Sequence, residues 1–378
     1  MCDSNSVLDN FVLEVGFHNY YIITSKKNDC NFAIENIGLE AKEEILRECR
    51  RVLQNHDTNE LYTCLCCLRI LTRDEVLRKN ITSQFFLSQL FEIAFEFNSD
   101  LQSPKINVEA LKSLSNIVFK EPCSIDQLKV MGLIKKLIES VESPSAILDK
   151  ERLLLCLKLL FIVTAMDSSS REELIKSNAL QTFMKFLDIK RLDITSEVAT
   201  ETLKTVYNIL YSTKDGDLDD DIQKLVVMLR HILQDSLLDQ FNNYALISQV
   251  VNVLNIIPKR SYKYLLDDTS GEHSVGNLAK DSVSDNKVNE MSSIEVLIAF
   301  LHSQLKLDCS KEFESTNDMR TDERICPILN CLTRACKSNR QIRKFCRLKR
   351  NDIKQNDLVD YNKQDLSNRM FIELLHFD

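Results

Sequence analysis

The chain has 378 residues, of which 44% are hydrophobic, and it contains only 6 Gly and 5 Pro. It is therefore poor in the residues that punctuate strands and turns and rich in helix formers, which favours an all-α protein. The formal net charge of −8 argues against a general nucleic-acid-binding protein, because phosphate contacts need a basic face.

The beginning of the chain shows no pattern of a secretory signal. Residues 1–39 precede the first recurrent motif and are predicted to form an N-terminal capping segment. They lack the basic stretch followed by an apolar stretch that marks a secretory signal. The 13 cysteines are odd in number and lack the spacing of a disulfide framework, which is typical of reduced thiols. These features predict a cytoplasmic protein.

The densest group of thiols is the segment CLCC at residues 64–67. Its three cysteines point in different directions on a helix, and no second Cys or His pair stands at zinc-ligand spacing. We therefore interpret Cys64, Cys66 and Cys67 as small core residues, with a metal site as the alternative.

One helical motif recurs along the chain. Residues 109–119 read EALKSLSNIVF and residues 201–211 read ETLKTVYNILY, and related copies lie between and beyond them with a period of about 46 residues. Helical repeats of this length are the signature of armadillo and HEAT proteins. We therefore predict an all-α, armadillo/HEAT-like, right-handed superhelical solenoid. The leucine position of the motif is occupied by Leu65, Leu111, Leu157, Leu203 and Val250.

The repeats are predicted to run from residue 40 to residue 348, with two helices leading into each copy of the motif helix. Residues 266–293 are polar, acidic and almost free of large apolar side chains, which predicts a disordered loop inserted into one repeat. A second acidic run, residues 215–221, is interpreted as a solvated loop and helix start, with a docking site for a basic partner as the alternative. No apolar stretch is long enough and free enough of charge to span a bilayer.

The sequence contains no motif for catalysis or for a cofactor. The glycines are isolated, so no P-loop or dinucleotide-binding cradle can be recognised. The six histidines are scattered, and no local arrangement pairs a nucleophile with a base. We therefore predict no enzyme, no cofactor, no metal site and no nucleotide bound by this chain itself.

Polar residues recur on one face of the motif helix, which in a solenoid lines the concave groove. Leu111 and Leu114 are predicted to face the core, which leaves Lys112 and Asn116 together on another face. Asn amides can pair with the main chain of a bound segment, and a row of Lys favours an acidic segment or a terminal carboxylate. The alternative is that these residues are polar only because they face water. The corresponding positions in other repeats include Lys158, Lys204, Asn208 and Asn255.

Six segments carry a family resemblance: LRILTRDEVLR at 68–78, EALKSLSNIVF at 109–119, RLLLCLKLLFIVTAM at 152–166, SEVATETLKTVYNILY at 196–211, SSIEVLIAFLHSQL at 292–305 and ILNCLTRACKSNRQIRKF at 328–345. In order and spacing they resemble the synembryn family. Members of that family are armadillo-type chaperones and guanine-nucleotide exchange factors for heterotrimeric G-protein α subunits (Gα). The resemblance implies a protein that holds Gα open and nucleotide-free, with recruitment to the cell cortex or plasma membrane through Gα.

The resemblance also implies residue roles in the N-terminal part of the groove. Family members hold the C-terminal tail of Gα with Arg residues of the motif matched by LRILTRD and with the Asn of the motif matched by SNIVF. These positions are Arg69, Arg73 and Asn116. One turn apart on a helix, the two Arg side chains could converge on a carboxylate. The alternative for them is surface pairing with Asp74 or Glu75.

Residues 349–378 do not match the family and are predicted to be a divergent C-terminal tail. Family members continue further, with a segment that engages the nucleotide-binding domain of Gα, so we expect weakened exchange activity. The runner-up function is an armadillo scaffold that binds another peptide partner and has no exchange activity.

Overall fold

A computed structural model describes residues 38–55, 58–97, 103–143, 148–188, 195–214, 216, 218–265, 293–309, 321–344 and 346–347. Nearly all of the predicted N-terminal cap, nearly all of the predicted 266–293 loop and the whole predicted C-terminal tail lie outside these residues. Within them every regular element is helical and there is no strand. The all-α prediction is therefore confirmed.

The chain divides into two compact units, residues 1–179 and 180–378. The helices of the first unit are α1 (Leu39–Asn55), α2 (Thr58–Leu71), α3 (Glu75–Ile81), α4 (Gln84–Phe95), α5 (Ser103–Lys120), α6 (Ser124–Val130), α7 (Leu133–Glu142), α8 (Lys150–Met166) and α9 (Ser168–Lys176). Those of the second unit are α10 (Ala179–Lys185), α11 (Ser196–Ser212), α12 (Asp219–Leu238), α13 (Tyr244–Ile256), a 3-10 helix (Lys259–Leu265), α14 (Ser293–Cys309) and α15 (Thr321–Ser338).

The recurrent motif forms one long helix in each repeat, and these helices stack side by side. In the first unit α5 packs against both α2 and α8, and in the second unit α13 packs against both α11 and α15. The leucine position of the motif is completely buried in every copy from Leu65 to Val250. No repeat could bury this apolar stripe alone, so burial against the neighbouring repeats is the main stabilising term.

Ion pairs join consecutive repeats of the first unit at the starts of the short helices. Each pair brings a Lys or Arg of one repeat to a carboxylate that begins or precedes a short helix of the next. Asp74 and Asp167 also accept hydrogen bonds from main-chain N–H groups in the first turns of α3 and α9, so each carboxylate is a helix cap as well. The three pairs are Lys42–Asp74 at 2.9 Å, Arg78–Glu121 at 2.8 Å and Lys129–Asp167 at 3.0 Å.

The predicted acidic run at residues 215–221 ends inside a helix. Asp219, Asp220 and Asp221 form the first turn of α12, where the helix dipole favours negative charge. Asp221 also accepts a hydrogen bond from Gln181 at 3.5 Å, which links α12 to α10. The end of the run therefore has a structural role at a helix start.

Candidate functional site

Helix α5, one of the motif helices of the first unit, presents a face that combines a cation, an amide and an aromatic ring. Lys112, Asn116 and Phe119 lie at positions i, i+4 and i+7 of α5, so they share one side of the helix. The Phe119 side chain is 55% exposed. We call these three residues the Lys–Asn–aromatic face. The second unit has the same face on α11, formed by Lys204, Asn208 and Tyr211.

A buried carboxylate organises the cations at this face. Glu109 is only 5% exposed, and its Oε2 atom accepts a hydrogen bond from Nε of Arg69 at 2.7 Å. Its Oε1 atom accepts a hydrogen bond from Nζ of Lys112 at 3.0 Å. Glu109 therefore connects α5 to α2 and holds two cations in place at once. Lys112 also contacts Glu151 of the next repeat at 3.0 Å.

These contacts shift the protonation equilibria of the cluster. Burial pushes the pKa of Glu109 upward, but Arg69 and Lys112 outweigh burial, so its pKa lies below the usual value. Burial pushes the pKa of Lys112 downward, but Glu109 and Glu151 outweigh it, so that pKa lies above the usual value. Both groups are therefore charged at neutral pH, and the cations keep their orientation.

Arg73 does not lie on the same helix as Arg69. Helix α2 ends at Leu71, and Arg73 follows in an exposed turn whose main-chain N–H donates to the carbonyl of Ile70 at 3.1 Å. The predicted spacing of one helical turn between the two Arg residues is therefore wrong. The predicted pairing with Asp74 is also not what the structure shows, because Asp74 pairs with Lys42 and Arg69 pairs with Glu109.

Asn116 reaches from α5 to the end of α2. Its Nδ2 atom donates to the carbonyl oxygen of Arg69 at 3.4 Å and to Oγ1 of Thr72 at 3.2 Å. That carbonyl is among the last four of α2, which have no partner within the helix. Asn116 therefore caps the neighbouring repeat and lies beside the main chain of Arg69.

The remaining predicted site residues are distributed between the two units. Lys158 is half-buried on α8 of the first unit, and Asn208 is half-buried on α11 of the second. Lys204 pairs with the buried Glu201 at 2.7 Å, which repeats the Glu109–Lys112 arrangement. Asn255 on α13 donates to the carbonyl of Pro327 at 2.9 Å and accepts from Asn330 at 3.0 Å.

The residues that sequence reasoning missed are Glu109, Glu201 and the exposed aromatic rings. The signal was present, because an acidic residue begins both copies of the motif and lies three positions before the Lys. A Glu–Lys pair at this spacing faces the same side of a helix. The rings of Tyr207 and Tyr211 stack with centroids 6.3 Å apart, which adds a second aromatic ring beside the face of the second unit.

The cysteine cluster lies in the core of the first unit. Cys64, Cys66 and Cys67 are all buried, and the Cys64 thiol and the Cys49 thiol each donate to the other's main-chain carbonyl, at 3.5 and 3.7 Å. Burial raises the pKa of Cys67 well above its usual value. Among the described residues, no group of three or more His, Cys, Asp or Glu side chains could hold a metal ion. The arrangement is that of core thiols.

None of the described helices combines the length and the apolar character needed to cross a lipid bilayer.

A comparison with protein families identifies the repeats. A protein-family model, described as guanine nucleotide exchange factor synembryn, matches residues 64–350 of the sequence. The chain belongs to the synembryn family. The cluster on α2 and α5 lies within this matched range, which includes Arg69, Arg73, Glu109, Lys112 and Asn116.

Curated synembryn relatives include chaperones from several vertebrates. Chaperone Ric-8A of Xenopus laevis is 26% identical over 76% of this chain and 55% of its own length, and Chaperone Ric-8A of Gallus gallus is 27% identical over 76% and 56%. Chaperone Ric-8B of Rattus norvegicus is 23% identical over 85% of this chain and 69% of its own length. The chain thus spans little more than half the length of the Ric-8A relatives.

Solved structures support the fold of this synembryn-family chain. A computationally designed armadillo repeat protein for modular peptide recognition matches with a TM-score of 0.50 and 15% identity, over 76% of this chain and 98% of its own. A chain from a structure on a phosphorylation switch that controls the interaction between cadherin and beta-catenin matches with a TM-score of 0.58 and 12% identity, over 82% of this chain and 53% of its own. At these identities the likeness concerns the fold, and it confirms the predicted armadillo-like architecture.

Proposed function

We propose that this synembryn-family chain binds Gα through the groove of its first unit and acts on it as a chaperone and guanine-nucleotide exchange factor. The observation that carries the proposal is the cluster in which buried Glu109 holds both Arg69 and Lys112. The chain is proposed to be a cytoplasmic protein without catalytic residues, cofactor or nucleic-acid partner of its own. The exchanged nucleotide belongs to Gα, and binding to Gα recruits the chain to the cell cortex.

The cluster suits a terminal carboxylate. Two cations share one buried carboxylate, and Arg73 adds a third positive charge in the adjoining turn. Glu151, the other partner of Lys112, is 62% exposed, so a bound carboxylate can replace it at low cost. Because Glu109 already orients Arg69 and Lys112, little side-chain entropy is lost when they bind an anion. The proposed ligand of this cluster is the C-terminal carboxylate of Gα.

The same face can hold a helical or extended tail with apolar side chains. Phe119 lies one turn beyond Asn116 on α5 and is 55% exposed, so contact with a partner removes apolar area from water. Asn116 uses Nδ2 within the chain, which leaves its Oδ1 atom as the acceptor that we assign to a main-chain N–H of the tail. The proposed tail therefore ends in a carboxylate and carries apolar side chains before it.

Further contacts with Gα are proposed for the other predicted residues. Lys158, Lys204 and Asn208 are partly exposed on motif helices of their respective units, and each can reach a polar group of a partner. Asn255 already bonds to Pro327 and Asn330, so a partner must exchange one of these hydrogen bonds to engage it. Asn255 is therefore expected to contribute less than the residues of the first unit.

Calorimetric titration with Gα tests the binding proposal. Combining Arg73→Ala with Phe119→Ser removes an exposed charge and an exposed ring, so the fold is preserved while affinity falls by about 2 to 4 kcal/mol. A matched control combines Lys79→Ala with Val76→Ser on α3, where both side chains are also exposed, and it leaves affinity unchanged. If wild type fails to bind Gα, the alternative function, an armadillo scaffold for another peptide, is favoured instead.

Exchange activity is tested separately, by the release of GDP from Gα. The proposal expects the chain to accelerate release only weakly, and it expects the Arg73→Ala, Phe119→Ser variant to lose this acceleration together with binding. Recovery of active Gα after co-expression measures the chaperone role in the same variants. Binding without any effect on release or recovery would leave only the scaffold function.

A further inference from the structure

The C-terminal end of the described repeats is strongly basic. Residues 334–350 contain eight Lys or Arg residues and no Asp or Glu, although the whole chain has a net charge of −8. This concentration is opposite in sign to the rest of the chain. It therefore marks a surface with its own chemistry.

The fold directs four of these cations outward. The Oδ1 atom of Asn339 accepts hydrogen bonds from the N–H groups of Gln341 and Ile342, at 2.7 and 3.3 Å, and so starts a helical segment after α15. Ile342 and Cys346, four positions apart, are buried and anchor one side of this segment. The opposite side is exposed, and it carries Arg340, Arg343, Lys344 and Arg347. We call these four residues the basic face.

The side chains of the basic face have no structural role within the described residues. Arg334, which precedes it, is used by the fold, because it donates to the Tyr262 hydroxyl at 3.2 Å and to the carbonyl of Ile257 at 3.1 Å. By contrast, no residue of the basic face forms an ion pair with a carboxylate in the part of the chain that the structure describes. Four unpaired, outward-facing charges on two helical turns repel one another unless an external anion is present.

The positive charge of the basic face also changes the pKa of a buried thiol nearby. A hydrogen bond from the Cys346 thiol, together with the guanidinium groups of Arg343 and Arg347, lowers the pKa of Cys336 despite the opposing effect of burial. The nearby cations therefore act on an adjacent buried group, which agrees with the exposed, unpaired arrangement.

We propose that the basic face docks this end of the protein onto a bilayer surface that contains anionic phospholipids. The face is an outward helix side and not a cavity, so it suits a flat layer of charge better than a single anion. Lipid headgroups diffuse laterally and can gather under a small fixed set of cations, and each Lys or Arg near such a surface contributes to binding. At physiological salt, screening weakens the repulsion between the acidic residues elsewhere on the chain and an anionic bilayer. The basic face can therefore bind the bilayer locally.

A nucleic acid is the less suitable partner. Proteins that bind single strands interleave aromatic side chains with their cations, and none of the described side chains from Arg340 to Arg347 is aromatic. Proteins that bind duplexes place cations to match phosphates at fixed spacing over a longer surface than two helical turns. The proposal is independent of Gα, because it concerns residues outside the Lys–Asn–aromatic face.

Co-sedimentation with vesicles tests the proposal. Wild type is mixed with phosphatidylcholine vesicles that contain or lack phosphatidylserine, and binding is expected only with phosphatidylserine and to weaken as salt is raised. The variant that combines Arg340→Gln, Arg343→Gln and Lys344→Gln is expected to bind about a hundredfold more weakly, by the scale for single charges at such a surface. Circular dichroism should be unchanged, because all three side chains are exposed.

A charge-matched control gives the experiment its specificity. The control variant combines Lys79→Gln, Lys105→Gln and Lys176→Gln, which removes three exposed charges from the first unit, and it is expected to bind vesicles as wild type does. Equal binding to both kinds of vesicle, no binding by wild type, or an equal loss in the control would each overturn the proposal. Tighter binding of wild type to a DNA or RNA oligonucleotide than to the phosphatidylserine vesicles would overturn it as well.

Discussion

Arg69 donates from Nε to Oε2 of Glu109 at 2.7 Å, across the boundary between two consecutive repeats and over 40 positions of sequence. The Glu109 side chain is buried, and the Arg69 side chain is 25% exposed. Arg69, which is proposed to bind a partner, is thus positioned by a residue of the core.

Arg69→Ala is expected to destabilise the protein as well as weaken binding. Removing the guanidinium leaves the buried Glu109 with Lys112 as its remaining cation, and the unfolding free energy should fall by about 1 to 3 kcal/mol after allowance for the exposure of Arg69. Denaturant unfolding measures this. Adding Glu109→Gln to Arg69→Ala should restore part of the loss, because a neutral amide costs less to bury than an unbalanced carboxylate. Equal stability of wild type and Arg69→Ala would contradict the assigned ion pair.

Stability is expected to fall in acid. Burial raises the pKa of Asp167, but hydrogen bonds from Ser170 and Lys129 outweigh it and hold its pKa far below the usual value. Since the folded-state pKa is depressed, the stabilisation is complete above the unfolded pKa of about 4 and is lost as pH falls toward the folded pKa. The melting temperature of wild type should therefore drop below about pH 4.

The variant Asp167→Asn isolates this contribution. Asn can still cap α9, so its melting temperature should be lower than that of wild type at neutral pH and should depend less on pH in acid. The matched control is Glu172→Gln, an exposed carboxylate on the same helix, which should keep the pH dependence of wild type. Parallel curves for wild type and Asp167→Asn would contradict the lowered pKa of Asp167.

Asn255→Ala should lower the stability of the second unit. The substitution removes the hydrogen bond to the carbonyl of Pro327 and the acceptor for Asn330, at a cost of about 1 to 2 kcal/mol in unfolding free energy. Hydrogen exchange followed by mass spectrometry should show faster exchange in α15. Asn252→Ala, on the same helix, is the comparison, because Asn252 bonds only to Gln249 among the described contacts. Identical exchange of α15 in both variants would count against the inter-helix role of Asn255.

The cysteines should react with alkylating reagents in two classes. Cys123 and Cys326 are exposed and should be modified in the folded protein. Cys67 and Cys156 are buried, and burial raises the pKa of both, to about 12 for Cys156, so they should react only after unfolding. Peptide mapping after brief alkylation distinguishes the classes. Modification of Cys67 as fast as Cys123 would contradict the placement of the cysteine cluster in the core.

The architecture could be predicted because it depends on a repeated apolar stripe. The spacing from Leu65 to Val250 is visible in the sequence, and burial of every one of these side chains follows from helix packing alone. The sequence also contains a polar face at fixed offset from that stripe. The buried side chains of a solenoid can therefore be predicted from the repeat period and the composition of the sequence.

The site could be predicted only in part, because its contacts join positions about 40 residues apart. Nothing near Arg69 in the sequence indicates Glu109 as its partner, and the nearby Asp74 pairs with Lys42 instead. LRILTRD contains neither Gly nor Pro to mark the end of α2 at Leu71. The side chain of Asp74 caps the following helix, and this competing interaction ends α2 before Arg73.

The central claim is that the groove of the first unit holds the C-terminal tail of Gα. A double-mutant cycle tests it most directly: the affinities of wild type and of the Arg73→Ala, Phe119→Ser variant are measured against intact Gα and against Gα lacking its last residues. The account predicts that each change alone costs about 2 to 4 kcal/mol and that both together cost little more than one, because they remove the same contact. Fully additive losses, or an intact affinity after tail deletion, would contradict it.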